Sequence, residues 1–185
     1  MVVLGRRFFA LLLIPFLAIL SSSVHAADNL RLHEQQIKAG LLYNFLKYTE
    51  WPASSFVQPG SITVCVFGDD PFYGSLKPME GRTVNQREIA VRQVRVVRET
   101  EGCHLLFINA AEKKLWPALR EFLSGKSVFT VSDAEGFTAS GGMIELGRSG
   151  DHIGASLNID AAAAVGLRVQ DRLLNLVTVV RRNRS

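Results

Sequence analysis

Three short apolar blocks limit what this chain can fold into more than any other feature. Ser61-Ile-Thr-Val-Cys-Val-Phe67 stands between Gly60 and Gly68, Cys103-His-Leu-Leu-Phe-Ile-Asn109 comes second, and Ser127-Val-Phe-Thr-Val131 comes third. The blocks are rich in β-branched and aromatic residues, and Leu105 to Ile108 is apolar at every position. A strand covered on both faces reads that way, because side chains on either side must be buried. Between the second and third blocks, Ala111–Leu123 has helical spacing, with Leu115, Leu119 and Phe122 on one face and Pro117 marking where a helix can begin. Strand, helix and strand in succession favour a parallel sheet with helices packed on it.

The other segments fit that frame. Residues 30–50 read as a helix with Ile37, Leu41, Phe45 and Tyr48 on one face and Leu42 and Leu46 beside them. Pro52 sets its end, because the residue before a proline avoids the helical region. Asp69-Asp70-Pro71 predicts a helix start, an acidic cap followed by proline, running through Leu76 and closed by Gly81. Glu88–Val97 reads as one or two short strands with Arg92, Arg95 and Arg98 on the wet side. Met143–Leu146 and Ile153–Asn158, around the turn-rich Gly147–Asp151, read as a hairpin. Ile159–Val165 is a short helix stopped by Gly166. Gln170–Val180 reads as a last helix with Leu173, Leu174, Val177 and Val180 inward. The predicted class is α/β, with a largely parallel central sheet flanked by helices and a C-terminal antiparallel hairpin.

The N-terminus states a destination. Arg6-Arg7 precede Phe8–Leu20, which holds no polar residue, and Ser21-Ser-Ser-Val-His-Ala26 ends in small residues. This order is that of a secretory signal, residues 1–26, cleaved after Ala26. The apolar run is too short to cross a hydrocarbon core of about 30 Å. Residues 27–185 then form one exported, soluble α/β domain, large enough to bury a core. The formal charge falls from +4 to +2 once Arg6 and Arg7 leave with the signal. A near-neutral domain argues against nucleic-acid binding.

Two cysteines remain, Cys65 and Cys103. An even count in an exported chain fits one disulfide, and the alternative is two buried, unpaired thiols. No catalytic constellation stands out: there is no G-x-S-x-G elbow, and His33, His104 and His152 are scattered. Cys103 and His104 are adjacent, so on a strand they point to opposite faces. No C-x-x-C or H-E-x-x-H offers a metal site. Gly136-Phe-Thr-Ala-Ser-Gly-Gly142 is no phosphate cradle, and reads as a connection into the hairpin or as a ligand-contacting loop. Neither catalysis, a cofactor nor a metal is expected. The arginines from Arg82 to Arg98, interleaved with Glu88 and Glu99, read as a solvated strand face or a docking surface for an acidic partner.

One string rises above background: Lys38-Ala-Gly-Leu-Leu-Tyr43-Asn44-Phe45-Leu-Lys47-Tyr48-Thr-Glu50-Trp51-Pro52. As chemistry it is an amphipathic helix ending on Trp-Pro, whose aromatic residues suit core packing or a dimer interface. As a string it resembles the opening signature of the YfiR-like family of exported bacterial proteins. The resemblance continues through Ile62–Phe72, Cys103–Ile108, Ser127–Asp133, Leu157–Leu167 and Leu173–Leu176. It implies a compact, non-catalytic, commonly dimeric periplasmic α/β domain. It further implies repression of an inner-membrane diguanylate cyclase through the cyclase's periplasmic sensor region. An OmpA-like outer-membrane lipoprotein would be a second partner, able to sequester the repressor. Cys65 and Cys103 match one cysteine pair of the family, whereas the second pair, expected between Phe137 and Asn158, has no counterpart here. A periplasmic small-ligand binding protein feeding a membrane receptor is the alternative function.

Overall fold

The computed structural model describes residues 14–56, 60–72, 74–149 and 152–181, with side chains from Leu30 onward. The chain runs α1 (Ile14–Lys47), β1 (Thr49–Glu50), β2 (Ile62–Phe67), β3 (Thr83–Val84), β4 (Arg87–Val94), β5 (Leu105–Ile108), α2 (Trp116–Phe122), β6 (Phe129–Ser132), β7 (Ile144–Ser149), β8 (His152–Asn158), α3 (Ile159–Ala163), β9 (Arg168–Val169), α4 (Asp171–Leu174) and β10 (Thr178–Val180). Eight strands form one sheet in the order β10-β8-β7-β6-β5-β2-β4-β3, and β1 pairs antiparallel with β9 in a second, small sheet. The predicted class holds. Strands β4, β2, β5, β6 and β7 are mutually parallel, and β7–β8 is the antiparallel hairpin.

Alternation along the central strands explains why both faces are covered. Ile62, Val64, Val66, Leu105, Phe107, Phe129 and Val131 share one core with Leu42, Phe45 and Leu46 of α1. Cys65, Phe67, Leu106 and Ile108 point the other way, into a second core with Trp116 and Leu119 of α2. Each large side chain fully buried this way contributes about 1.5–3 kcal/mol relative to exposure. Phe45 meets Phe129 with ring centroids 6.0 Å apart, so α1 is seated on β6 by aromatic contact.

Several boundaries differ from the sequence reading. The first helix is already formed at Ile14, the first described residue, instead of starting at residue 30, because nothing between Pro15 and Lys47 breaks it. It ends at Lys47, and Thr49–Glu50 leave it to pair with β9. Its buried stripe is Ala39, Leu42, Phe45 and Leu46, whereas Leu41 and Tyr48 lie at the margin and Ile37 is exposed. The first residues of the expected signal, Met1–Leu13, lie outside the described residues.

No helix follows Asp69-Asp70-Pro71. The Asp70 carboxylate does accept the Phe72 N–H at 2.8 Å, as a cap would. Gly74 then takes φ +82° and Pro78 follows, so the chain makes turns and one 3₁₀ turn at Lys77–Met79. Strand β3 was not foreseen. It pairs with β4 through Asn85 and Gln86, both at positive φ, a turn that matches the twist of a hairpin. Helix α2 begins at Trp116 with Pro117 in its first turn, preceded by a 3₁₀ stretch from Ala110 capped by the Asn109 side chain.

The expected helix over Gln170–Val180 is one turn only, α4. Val177-Thr-Val-Val180 is β-branched throughout, and its last three residues become β10, parallel to β8, with Thr178 opposite Ser156. Leu173 is buried and Leu174 and Val177 pack at the margin, as a helix would also have required.

Candidate functional site

The signature string ends beside the first residues of β5. Phe45 is wholly buried, and Tyr43 lies at the surface with the Arg82 guanidinium 4.9 Å from its ring centroid. The Asn44 carbonyl accepts the Tyr48 N–H, closing the last turn of α1. Lys47 is exposed, with its ammonium over the Tyr48 ring. The Tyr48 carbonyl accepts the Gln170 N–H at 2.9 Å and Glu50 accepts the Gln170 side-chain amide at 3.1 Å. Both bonds dock the end of the signature on the β9–α4 segment. Pro52 precedes a 3₁₀ turn over Ala53–Ser55. Seven of these eight side chains or backbones thus have a packing or bonding partner in this chain, before Trp51 is considered.

Trp51 makes the decisive contact. Its indole N–H donates to the His104 carbonyl at 3.1 Å, and its ring lies edge-on to both His104 and Phe129, each at 6.4 Å. His104 is buried and uses both ring nitrogens. Nδ1 accepts the Thr63 backbone N–H at 3.0 Å, so the ring proton sits on Nε2 and donates to the Ser55 carbonyl at 3.1 Å. In return the His104 N–H donates to the Thr63 carbonyl at 2.9 Å. The imidazole therefore fills the place of a backbone acceptor where the β2–β5 ladder begins. Phe56 stacks on the ring at 4.6 Å, and the Arg87 guanidinium lies 3.7 Å from the Phe56 centroid while donating to the Gly60 carbonyl. Burial pushes the His104 pKa below the ordinary histidine value. The bond to Ser55 opposes that shift and the Arg87 charge adds to it.

Cys103, one residue earlier, faces the other core. It is joined to Cys65 of β2 with the Cα atoms 5.8 Å apart, inside the range a disulfide requires. Both cysteines are buried. Arg92 of β4 crosses above the bridge. Its Nη2 lies 3.5 Å from Cys103 Sγ and 3.8 Å from Cys65 Sγ, and it donates to the carbonyls of Glu99 at 2.9 Å and Glu101 at 2.8 Å. Arg92, Arg95 and Arg98 are exposed, as expected of a wet face, yet Arg92 also clamps the segment leading into Cys103. Glu99 accepts the N–H groups of Arg95 and Val96, which holds its carboxyl below the usual range.

The opposite end of the sheet, where the parallel strands finish, is where open α/β folds commonly receive ligands. Here it is occupied by protein. Lys38, buried on α1, bonds Asp133 after β6 at 2.9 Å and Glu34 at 3.0 Å; Asp133 also accepts the Ala110 N–H, and Glu34 pairs with Arg148. Burial alone would lower the Lys38 pKa, but the two carboxylates outweigh it and hold the group above its ordinary value. Sequence reasoning missed this network. Its signal was present: Lys38 sits on the same helix face as Leu42 and Phe45, where a cation needs a partner.

The Gly136–Gly142 connection is packed through Phe137, while Gly141 lines a groove beside α2. Phe137 is buried against Trp116 at 4.5 Å, and the Ser140 carbonyl accepts from Trp116 and Arg120. His33 and His152 are exposed. Among the described residues no group of three or more His, Cys, Asp or Glu side chains is placed to hold a metal, and no helix is long and apolar enough to cross a membrane.

The Trp-Pro string and both bridged cysteines lie within the span that a family model matches. The YfiR/HmsC-like model matches residues 35–178, from the middle of α1 to the first residue of β10. The chain belongs to the YfiR/HmsC-like family. The matched span includes the whole signature, both cysteines, His104 and the Lys38–Asp133 pair. A search of curated proteins finds no match. The YfiR/HmsC-like family is one of periplasmic, regulatory, non-catalytic proteins.

Proposed function

We propose that this YfiR/HmsC-like protein is exported, cleaved after Ala26, and represses an inner-membrane diguanylate cyclase by binding the cyclase's periplasmic sensor region. Cyclic di-GMP output and biofilm fall as a result. The observation that carries the reading is the family match over residues 35–178. The signal-like N-terminus agrees with it. Repression needs no chemistry, only a binding surface that prefers the inactive sensor. Shifting a sensor from 1:99 to 99:1 requires about a 10⁴-fold preference for one state, or roughly 5.5 kcal/mol. A homodimer is the form in which we expect the repressor to act, and an OmpA-like outer-membrane lipoprotein is the partner expected to withdraw it.

Deletion tests this. Loss of the protein should raise intracellular cyclic di-GMP, and a full-length copy should restore the low level. A copy lacking residues 2–26 should fail to restore it. Unchanged cyclic di-GMP on deletion, or rescue by the truncated copy, refutes the reading.

One observation supports a ligand-binding alternative. A groove of about 860 Å³ lies between α2 and α3, lined in part by Trp116, Arg120, Lys126, Met143 and Asp160, and its volume is that of a small-molecule site. The buried polar side chains at its floor, Thr130 and Asn158, already bond Met143 and Ala161 backbone N–H groups. That leaves less for a ligand to recognise, so repression by protein binding ranks first. Native mass spectrometry of periplasmic protein separates the two: a retained metabolite favours the groove.

A further inference from the structure

We propose that His104 is an acid-released latch, which holds the Trp51–Phe56 segment on the sheet while its ring is neutral and lets go when Nδ1 gains a proton. This inference rests on bonding geometry and stands whether or not the repressor reading is correct. A neutral imidazole with its proton on Nε2 can accept at Nδ1; an imidazolium cannot, because both nitrogens then donate. The Thr63 N–H pointing at Nδ1 from 3.0 Å would face a second N–H. One of them must move, and the ring cannot shift without breaking its stack on Phe56 and its bond to the Ser55 carbonyl.

The surroundings offer the cation one acceptor, the Ser55 carbonyl that Nε2 already uses, and no opposing charge. Thr63 of β2, Ser55, Phe56 and Trp51 of the preceding segment, and Phe129 of β6 are neutral, and the neighbouring Cys103 is locked in the disulfide. The charged side chain that acts on the ring among the described residues is Arg87 of β4, a second cation against the same Phe56 ring. Acid therefore converts a satisfied site into one with opposed donors and like charges. The weakest element in contact is the segment itself. Residues 51–56 are held by two side-chain bonds, Trp51 Nε1 to the His104 carbonyl and His104 Nε2 to the Ser55 carbonyl, with one 3₁₀ turn between. Strand β5, which begins one residue after His104, is held on both sides by ladders. Release exposes Trp51 and Phe56, apolar surface beside the signature.

The sign follows. A histidine whose pKa is lowered in the folded state contributes stability above the ordinary value of about 6.5, and that contribution is lost as pH falls through the folded value. Nitrogen-15 NMR on the whole protein, from about pH 7.5 to pH 4.5, tests the latch across the range in which histidine titrates. The His104 ring shifts should show the Nε2–H tautomer at high pH. As the ring titrates, the Trp51 indole N–H and Thr63 amide signals should move with the same midpoint, and the protection of both protons against exchange, taken relative to the unstructured rate at each pH, should fall at least tenfold. His104→Gln, which cannot titrate, should flatten the Trp51 response. If His104 titrates while the Trp51 and Thr63 signals stay in place, the latch is wrong. It is equally wrong if His104 stays neutral until the protein unfolds, or if a folded His104→Gln protein keeps the acid response.

Discussion

Breaking the Cys65–Cys103 bridge should cost about 4 kcal/mol. The bridge spans a sequence separation of 38 residues. On the chain-entropy relation, closing a loop of that size removes about 13 cal/mol/K from the unfolded ensemble, which at 25 °C is about 3.9 kcal/mol. The clean perturbation is reduction of the natural protein. Cys65→Ser would bury a hydroxyl in an apolar core, and Cys→Ala would add a cavity term, so both mix other effects into the measurement. The native state should survive reduction. Arg92 still clamps the carbonyls of Glu99 and Glu101, and the β2–β5 ladder still sets the strand spacing. Urea titrations of oxidised and reduced protein should therefore give two single transitions. With a slope of about 2 kcal/mol/M the midpoint should fall by about 2 M. The slope itself should rise on reduction, because the unfolded chain expands. Burial of both sulfurs also predicts slow reduction in buffer, accelerating with urea as the structure opens. Equal midpoints in the two forms would refute the loop argument. Loss of tertiary structure on reduction without denaturant would show that the bridge holds the native geometry itself, which the ladder and Arg92 are argued to do.

Two further outcomes follow from particular side chains. Lys38→Met should destabilise the protein by about 2–3 kcal/mol, because Asp133 and Glu34 lose a buried charged donor; the gap to wild type should stay flat up to about pH 10 and close above it, since a lysine raised in the folded state contributes below its unfolded value and loses that contribution as pH rises through the folded one. A gap that widens at high pH in chemical denaturation would overturn this. Gly142→Ala drives a Cβ into the Phe137 ring, so Phe137 must leave its seat on Trp116; a loss of about 2–3 kcal/mol and an altered near-ultraviolet dichroism of Trp116 are expected, and an unchanged melting temperature would contradict the packing described.

The central strands were legible because burial on both faces writes itself into consecutive positions, as in Leu105–Ile108. The same rule failed where the chain is short and half exposed. Val177–Val180 satisfies a helical face and a strand equally well over four residues, and only the vacant edge of β8 decides for the strand. Asp70-Pro71 makes the first bond of a helix, but Gly74 and Pro78 deny it a second turn. Thr49–Glu50 pair only because residues 168–169, more than a hundred positions away, arrive beside them. At the candidate site, the string ending in Trp51-Pro52 was visible, and an indole N–H predicts some acceptor. Which acceptor it finds, the carbonyl of His104, depends on tertiary placement that no local spacing encodes.

Adjacency at the entrance to β5 explains why so much converges on residues 103 and 104. Neighbouring side chains there point to opposite faces, which is why Cys103 and His104 cannot share a metal. The same alternation lets one strand start carry two independent ties. Cys103 joins β5 to β2 on the α2 side through a covalent bond, and Arg92 shields it from β4. His104 joins β5 to β2 and to the Trp51–Phe56 segment on the α1 side through four hydrogen bonds and two aromatic contacts. The first tie constrains the unfolded chain and responds to reductant. The second acts in the folded state and responds to protons. Neither shares an atom with the other, so the strand can keep its register through Cys65–Cys103 while the Trp-Pro segment lifts.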